Sequence, residues 1–379
     1  MTDVPTLCAR ARASSRTLAT LARAEKDTAL RYVARGLREG RAPILEASAR
    51  DVDEARVRGT SEALLDRLAL DAGRVEQIAA AVEQIASLDD PVGAVIADTV
   101  RPSGIRVRRV RVPLGVIAMV YEARPNVTAE AAALCLKAGN AVVLRGGSEA
   151  SRSNAAIAAV LGDALERAGL PRDAVQMLPP GNRDAIRELV QQTGTVDLVI
   201  PRGGESLIAF VREHARVPVI AHASGVCHLY VDAGADVDVA ARLAVNGKLQ
   251  RPGVCNALEC LLVDAGDAAR LLPPIARALL EGGCELRGDE RARALVPQAK
   301  VATDADWGKE YLDRILAVRT VDGIEGALVH VERYGSRHTE VICTRDEAHA
   351  ARLRREVDAA CVVVNASSRF HDGGELGLG

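Results

Sequence analysis

A chain of 379 residues with 48% hydrophobic and 26% charged side chains is long and apolar enough for about two or three domains with full cores. Its formal net charge of −2, with two Phe, five Tyr and one Trp, supplies neither the basic surface nor the stacking platforms that nucleic-acid binding needs. No apolar h-region opens the sequence, no uninterrupted apolar run reaches about 18 residues, and the eight cysteines include no C-x-x-C pair; the expectation is a cytosolic, non-membrane protein of a reducing compartment, with neither a zinc ribbon nor a thioredoxin motif.

Residues 6 to 88 read as helices. Leu18, Leu21, Leu30, Val33 and Leu37 recur at helical spacing, Asp71 is placed to cap the run Val75 to Leu88, and Pro43 and Gly59 punctuate. After Pro91 the pattern changes to period two. Residues 92 to 112 predict two strands about a Pro102-Ser103-Gly104 turn, with a bulge at Arg108 and Arg109; pattern alone leaves open whether this arm pairs with a neighbouring subunit or is an ordinary edge hairpin.

From Gly115 strands and helices alternate. The runs Val116 to Tyr121, Ala141 to Leu144, Val175 to Leu178, Leu198 to Ile200 and Val219 to Ala221, separated by helical segments, predict a parallel sheet covered on both faces in a Rossmann-like layout. No G-x-G-x-x-G follows its first strand and no P-loop occurs. Two Gly pairs do stand directly after strands, at Gly146 and Gly147 and at Gly203 and Gly204, where backbone approaches a phosphate closely; a Gly pair alone does not identify a cofactor. A second alternation begins at Cys227. Strands over 227–231, 258–263, 315–321, 341–344 and 361–364, with helices near 236–247, 266–281, 323–334 and 346–357, make a second α/β domain.

Chemistry concentrates in residues 246 to 259, NGKLQRPGVCNALE. Cys255 is surrounded by Gln250, Arg251, Pro252, Gly253 and Asn256, turn and polar residues that keep it on a loop, whereas the other seven cysteines lie in or beside apolar or helical runs and read as small buried hydrophobes. A thiol is nucleophilic without the activating triad a serine requires. The lysines, Lys26, Lys137, Lys248, Lys300 and Lys309, sit in no pocket signature, which argues against Schiff-base chemistry. Asn126 in RPNVT reads equally as a helix cap or as a donor to an oxyanion, and Glu310 by itself is a solvated charge. His222, Cys227 and His228 match no standard metal-ligand spacing, so no metal is expected.

Asn246, Gly247, Gln250 and Cys255 resemble the nucleophile loop of the aldehyde dehydrogenase superfamily, and VPLGVIAMVYEARPNVT from Val112, LCLKAGNAVVLRGG from Leu134, LVIPRGG from Leu198 and VNASSRFHDGGELGLG from Val364 extend the resemblance over most of the chain. It implies an α/β, aldehyde dehydrogenase-like fold: a helical segment and first part of the cofactor domain over 1–97, a small β oligomerisation arm over 98–111, a Rossmann-like NADP-binding domain over 112–226, a catalytic domain over 227–364, and a substrate-binding segment opening a truncated oligomerisation tail over 365–379. The implied activity is NADPH-dependent reduction of γ-glutamyl phosphate to glutamate 5-semialdehyde and phosphate through a cysteine thioacyl intermediate, the second step of proline biosynthesis. Another acylating enzyme of this family, or an inactive truncated assembly module, stays open as an alternative.

Residue by residue, the resemblance makes Cys255 the catalytic thiol and gives the oxyanion to Asn126 and the Cys255 N–H. Arg145, Gly146, Gly147, Ser148, Glu149, Gly203 and Glu310 fall to the cofactor NADP(H), Arg145 standing where relatives carry a lysine and favouring NADP over NAD. Arg124, Arg251, Asn365, Ser368, Arg369 and Phe370 fall to the substrate. Aldehyde-oxidising relatives place a glutamate base where this chain has VIAHASGVCH, with His222 nearest that position, so the acyl intermediate is expected to meet phosphate or hydride rather than water. A homo-oligomer and functional association with glutamate 5-kinase are the implied partners, with no nucleic acid and no membrane. The family pattern continues beyond Gly379, and an arm lacking that tail is expected to pair weakly.

Overall fold

The computed structural model describes residues 3–122, 124–179, 183–221 and 224–377, the side chain of Ala63 excepted. It divides into two compact units, Met1–Ala221 and His222–Gly379.

The first unit opens with α1 (Val4–Leu18), α2 (Arg23–Glu39), α3 (Arg41–Val57), α4 (Glu62–Leu68) and α5 (Ala72–Ser87). Leu18, Leu30, Val33 and Leu37 are buried, as their spacing predicts, with Leu21 packed at the margin. Asp71 caps α5 by accepting from Arg74 N at 2.7 Å, and Asp3 caps α1 from Thr6 N at 2.8 Å. The break between α2 and α3 falls at Gly40; Pro43 lies within the first turn of α3, where a missing N–H costs nothing.

A hairpin of β1 (Val95–Val100) and β2 (Arg106–Val110) follows, antiparallel and exposed throughout. It begins ahead of the expected 98–111 arm. Its bulge is also displaced from the predicted place: the register shifts between Val95 and Ala97, so the extra residue is Ile96 on β1, opposite the Arg109 and Val110 pair.

Then come β3 (Val116–Tyr121), α6 (Pro125–Lys137), β4 (Ala141–Arg145), α7 (Ser151–Arg167), β5 (Val175–Met177), α8 (Arg183–Val190), β6 (Leu198–Arg202) and α9 (Glu205–His214). The four strands are parallel in the order β5-β4-β3-β6, and β3 and β4 are buried at every position, which is why they read as unbroken apolar runs. The expected fifth strand, 219 to 221, is only an isolated bridge between Val219 and Val199. Pro218 precedes it and has no N–H for a ladder.

The second unit holds β7 (Cys227–Val231), α10 (Val237–Leu249), β8 (Leu258–Asp264), α11 (Ala268–Glu281), β9 (Glu285–Gly288), α12 (Glu290–Leu295), β10 (Lys300–Val301), β11 (Ile315–Val321), α13 (Gly323–Tyr334), β12 (Thr339–Cys343), α14 (Glu347–Glu356) and β13 (Cys361–Val364). Its seven strands run in the order β10-β9-β11-β8-β7-β12-β13, every pair parallel. The sequence pattern misses β9, α12 and β10: ELRG and the two-residue KV carry too few apolar positions to show a period. Among the described residues no helix is long and apolar enough to cross a membrane.

Candidate active site

In the second unit α10 ends at Leu249 because Pro252 and Gly253 cannot continue it, and the chain turns through Cys255 into β8. Cys255 is thus held at the amino-terminal edge of the sheet. Of the eight cysteines it alone is exposed. Burial pushes the thiols of Cys8, Cys135 and Cys284 up to about 12, out of range for attack at neutral pH.

Two sets of contacts hold the loop. On one side, Cys227 Sγ donates to the Cys255 carbonyl at 3.3 Å, and Gly225 packs so closely that a Cβ there would overlap the same carbonyl oxygen. Glu310 Oε1 accepts from Gly225 N at 2.9 Å, which joins Glu310 to the loop through backbone. On the other side, Ser368 Oγ donates to Asn256 O at 2.7 Å, Asn256 Nδ2 donates to His371 O at 3.1 Å, and Arg369 Nε donates to Gln250 Oε1 at 3.0 Å. Arg251 is exposed and makes no hydrogen bond or ion pair among the described residues, and Phe370 is half exposed. Asn365, at φ +52°, commits its amide to Thr344, accepting from the backbone N and donating to the carbonyl, both at 2.9 Å. His222 lies outside the described residues.

Beneath the loop is a pair the sequence reading overlooked. Lys248 and Glu259, fully buried, meet at 2.6 Å, and Glu259 Oε1 accepts from Leu312 N at 3.3 Å, two residues beyond Glu310. Burial raises the Glu259 carboxyl to about 7, with Lys248 opposing. A charge at the second position of the strand LECLLVD, ahead of four apolar residues, was the available signal.

In the first unit Asn126 occupies the second helical position of α6 and donates from Nδ2 to Glu130 Oε1 at 3.1 Å. The cap position belongs to exposed Arg124, so the cap reading of Asn126 does not hold. Arg145 ends β4 buried, its Nη1 donating to Gly146 O at 2.6 Å; burial lowers its pKa, with Glu149 opposing. Gly146 has no room for a Cβ, which would collide with Asn154 Nδ2, a side chain held by Thr128 Oγ1 at 2.9 Å. Ser148 and Glu149 form a short 3-10 turn into α7, with the Glu149 carboxylate folded over Gly147. Beside this loop opens a groove of about 510 Å³, floored by Ala155, Ala158 and Ala159 of α7 and rimmed by Arg10, Arg172 and Leu178. The Gly203 and Gly204 loop differs: Glu122 Oε2 accepts from Gly204 N at 2.8 Å, placing the protein's own carboxylate at the start of α9.

A parallel α/β unit with glycine-lined strand ends, and a second parallel α/β unit presenting one exposed thiol, define an aldehyde dehydrogenase-type enzyme. The model described as "Aldehyde dehydrogenase family" matches residues 1–290, and the chain belongs to that family. It is 60% identical over 378 residues to the gamma-glutamyl phosphate reductase of Sorangium cellulosum, covering 98% of this chain and 88% of that protein. To the gamma-glutamyl phosphate reductase of Xanthomonas campestris pv. campestris (strain B100) it is 54% identical over 376 residues, covering 99% and 91%. The crystal structure of gamma-glutamyl phosphate reductase from Thermotoga maritima superposes with a TM-score of 0.96 at 42% identity, covering 99% of this chain and 91% of that one. An acetylating aldehyde dehydrogenase from Geobacillus thermoglucosidasius shares the fold, with a TM-score of 0.66 at 20% identity, covering 98% and 88%.

The family implies a nicotinamide cofactor, and the first unit has residues that fit one. The groove has the volume of a small-molecule site and is lined by Ala155, Ala158 and Ala159 together with Gly146 and Gly147.

Proposed function

We propose that the chain catalyses the NADPH-dependent reduction of γ-glutamyl phosphate to glutamate 5-semialdehyde and phosphate, the second step of proline biosynthesis. The observation that carries this reading is the exposed Cys255 thiol on a loop clamped from both sides, in a chain 60% identical to a reductase named for that substrate. The first unit is the cofactor unit and the second the catalytic unit.

Cys255 thiolate attacks the acyl carbon; the C–S bond forms, the C–O bond to phosphate breaks, and phosphate leaves. The Cys255 N–H serves the oxyanion of that step, and the resemblance adds the Asn126 amide, which here donates to Glu130. The nicotinamide, when bound, supplies the hydride that converts the thioester to the aldehyde level. Arg251, Arg369, Phe370 and Arg124 are the candidates for touching the substrate. Ser368 spends its hydroxyl on Asn256 and so shapes the nucleophile loop, while Asn365 spends its amide on Thr344 and so fixes the turn after β13.

The charge near the groove supports NADP rather than NAD. Arg145 lies under the glycine loop, and Arg10 on its rim makes no ion pair among the described residues, while Arg172 is held by Asp163 and Glu166. Arg145→Ala should shrink the NADP over NAD preference severalfold; an unchanged ratio of kcat/KM removes this part of the reading. The exposed apolar hairpin is proposed as the contact between copies of the chain. Eight unpaired thiols suit the cytoplasm, where glutamate 5-kinase would deliver a hydrolytically labile acyl phosphate.

Steady-state NADP reduction by glutamate 5-semialdehyde tests the whole. Turnover should require phosphate or arsenate, with coenzyme A unable to replace them. Equal rates with coenzyme A would favour the acylating alternative, and fast release of glutamate without either anion would show that water is activated after all.

A further inference from the structure

The second unit buries a polar cluster that the proposed chemistry does not use. Parallel register places Glu340 of β12, His228 of β7 and Cys260 of β8 in one row across the sheet, and His330 of α13 packs against it, its ring 5.3 Å from that of His228. All four are buried. One ring nitrogen of each histidine and Cys260 Sγ lie within 4.8 Å of one another, with Cys260 Sγ to His330 Nε2 at 3.6 Å. Glu340 Oε2 holds His228 Nδ1 at 2.9 Å, and His228 Nε2, the ring atom left over, has no hydrogen-bond partner although it is fully enclosed. A buried nitrogen without a partner carries an uncompensated desolvation cost, which coordination of a metal ion through that nitrogen would relieve.

We propose that His228, Cys260 and His330 form a structural site for one thiolate-accepting cation of the zinc class. Two imidazoles and a thiolate, with one enclosed water as the fourth ligand, suit Zn²⁺ and exclude Mg²⁺ and Ca²⁺, which take oxygen donors. Zinc bonds of about 2.0–2.3 Å put neighbouring ligand atoms about 3.3–3.7 Å apart; the Cys260 to His330 spacing already meets this, and small ring rotations close the remainder. Glu340 on the far nitrogen of His228 is the outer partner that fixes the tautomer and orients a metal-binding histidine. Binding releases the Cys260 proton and the proton on His228 Nε2 to solvent, so thiolate and Glu340 carboxylate balance the dication. One further charge faces the cluster: Arg319 Nη1 lies 3.0 Å from His330 Nδ1. A metal on Nε2 puts the proton on Nδ1, and Arg319 then gives up that contact while keeping its place over the Trp307 ring, 5.2 Å from the centroid. The ion would tie β7, β8 and α13 together five residues beyond Cys255.

Because the ligands are buried, the metal must enter before the unit closes, so loading belongs to expression. Full-length protein carrying Cys255→Ala, which removes the competing exposed thiol, is produced in zinc-supplemented and in cobalt-supplemented medium and dialysed against a chelator. About one equivalent of zinc per chain should survive dialysis and leave on unfolding, and the cobalt form should show thiolate-to-cobalt charge-transfer absorption and tetrahedral d–d bands. Adding Cys260→Ser should abolish the charge-transfer band and lower retained metal at least about tenfold. If that variant does not fold by circular dichroism, His330→Gln takes its place with the same loss of metal expected. Less than about a tenth of an equivalent in the parent protein, or a charge-transfer band that persists without Cys260, overturns the site.

Discussion

Cys255 and the Lys248–Glu259 pair beneath it divide the work at the residue level. Cys255 is exposed and its side chain fills no core space, so Cys255→Ala should abolish turnover while the circular dichroism spectrum and melting temperature stay at wild-type values. Residual activity near wild type would refute the covalent route. Lys248 is different because removing it strands a carboxylate with no access to water. Lys248→Met should cost about 3–5 kcal/mol in denaturant unfolding, and adding Glu259→Leu should recover most of that by removing the stranded charge. A single variant as stable as the wild type would show that the pair contributes little. Gly225 is the third residue on which the loop depends, since even a methyl group there must displace the Cys255 carbonyl.

The segment 303–312, which carries Glu310 toward the nucleophile loop, has only a short 3-10 turn at Asp304–Asp306, and one carboxylate organises it. Asp306 accepts from Tyr311 Oη at 2.6 Å, Arg287 Nη1 at 2.9 Å, Thr303 N at 2.8 Å and Thr303 Oγ1 at 2.9 Å. Burial pushes its carboxyl up, but the hydrogen bonds from Tyr311, Thr303 and Arg287 outweigh burial and hold it well below the usual carboxylate range. A depressed folded-state pKa contributes stability that is present above the unfolded value, about 4, and is lost as pH falls through the folded one. Urea unfolding followed from pH 6 downward should therefore show stability falling below about pH 4, with Asp306→Asn less stable at pH 6 and flatter in acid. Parallel curves for the two proteins would remove Asp306 from this role.

At the scale of the whole molecule the exposed hairpin dominates. Val100 is 70% exposed, Ile105 63% and Val107 47%, and a two-stranded sheet with no buried face is marginal by itself. Asp98, bonded by Arg106 at 2.7 Å and Arg108 at 3.0 Å, fixes its register from within. If the hairpin pairs copies of the chain, Val100→Glu with Val107→Glu should shift sedimentation toward the monomer without lowering the melting temperature of either unit. An unchanged oligomer would place the contact elsewhere.

Strand and helix periods were legible without coordinates because each apolar run is long enough to carry a phase: β3, β7, β11 and β13 begin and end where the pattern places them. Cys255 stood out for a local reason as well, since turn chemistry is written in neighbouring residues. What neighbours do not encode is which strand lies beside which. The sheet order β10-β9-β11-β8-β7-β12-β13 aligns Glu340 with His228 and Cys260 from three separate stretches, and brings Gly225 and Ser368, more than a hundred residues apart, to the two sides of one loop. The same limit hid Glu122 at the second glycine loop, the groove along α7, and the commitment of Asn365 to Thr344. By itself the sequence determined periodicity, turns and the identity of the accessible thiol, because those depend on spacing along the chain. Tertiary structure decided the long-range partners of Glu259, Glu340, Asn256 and Asn365, because desolvation binds such groups to what lies nearest in space rather than in sequence.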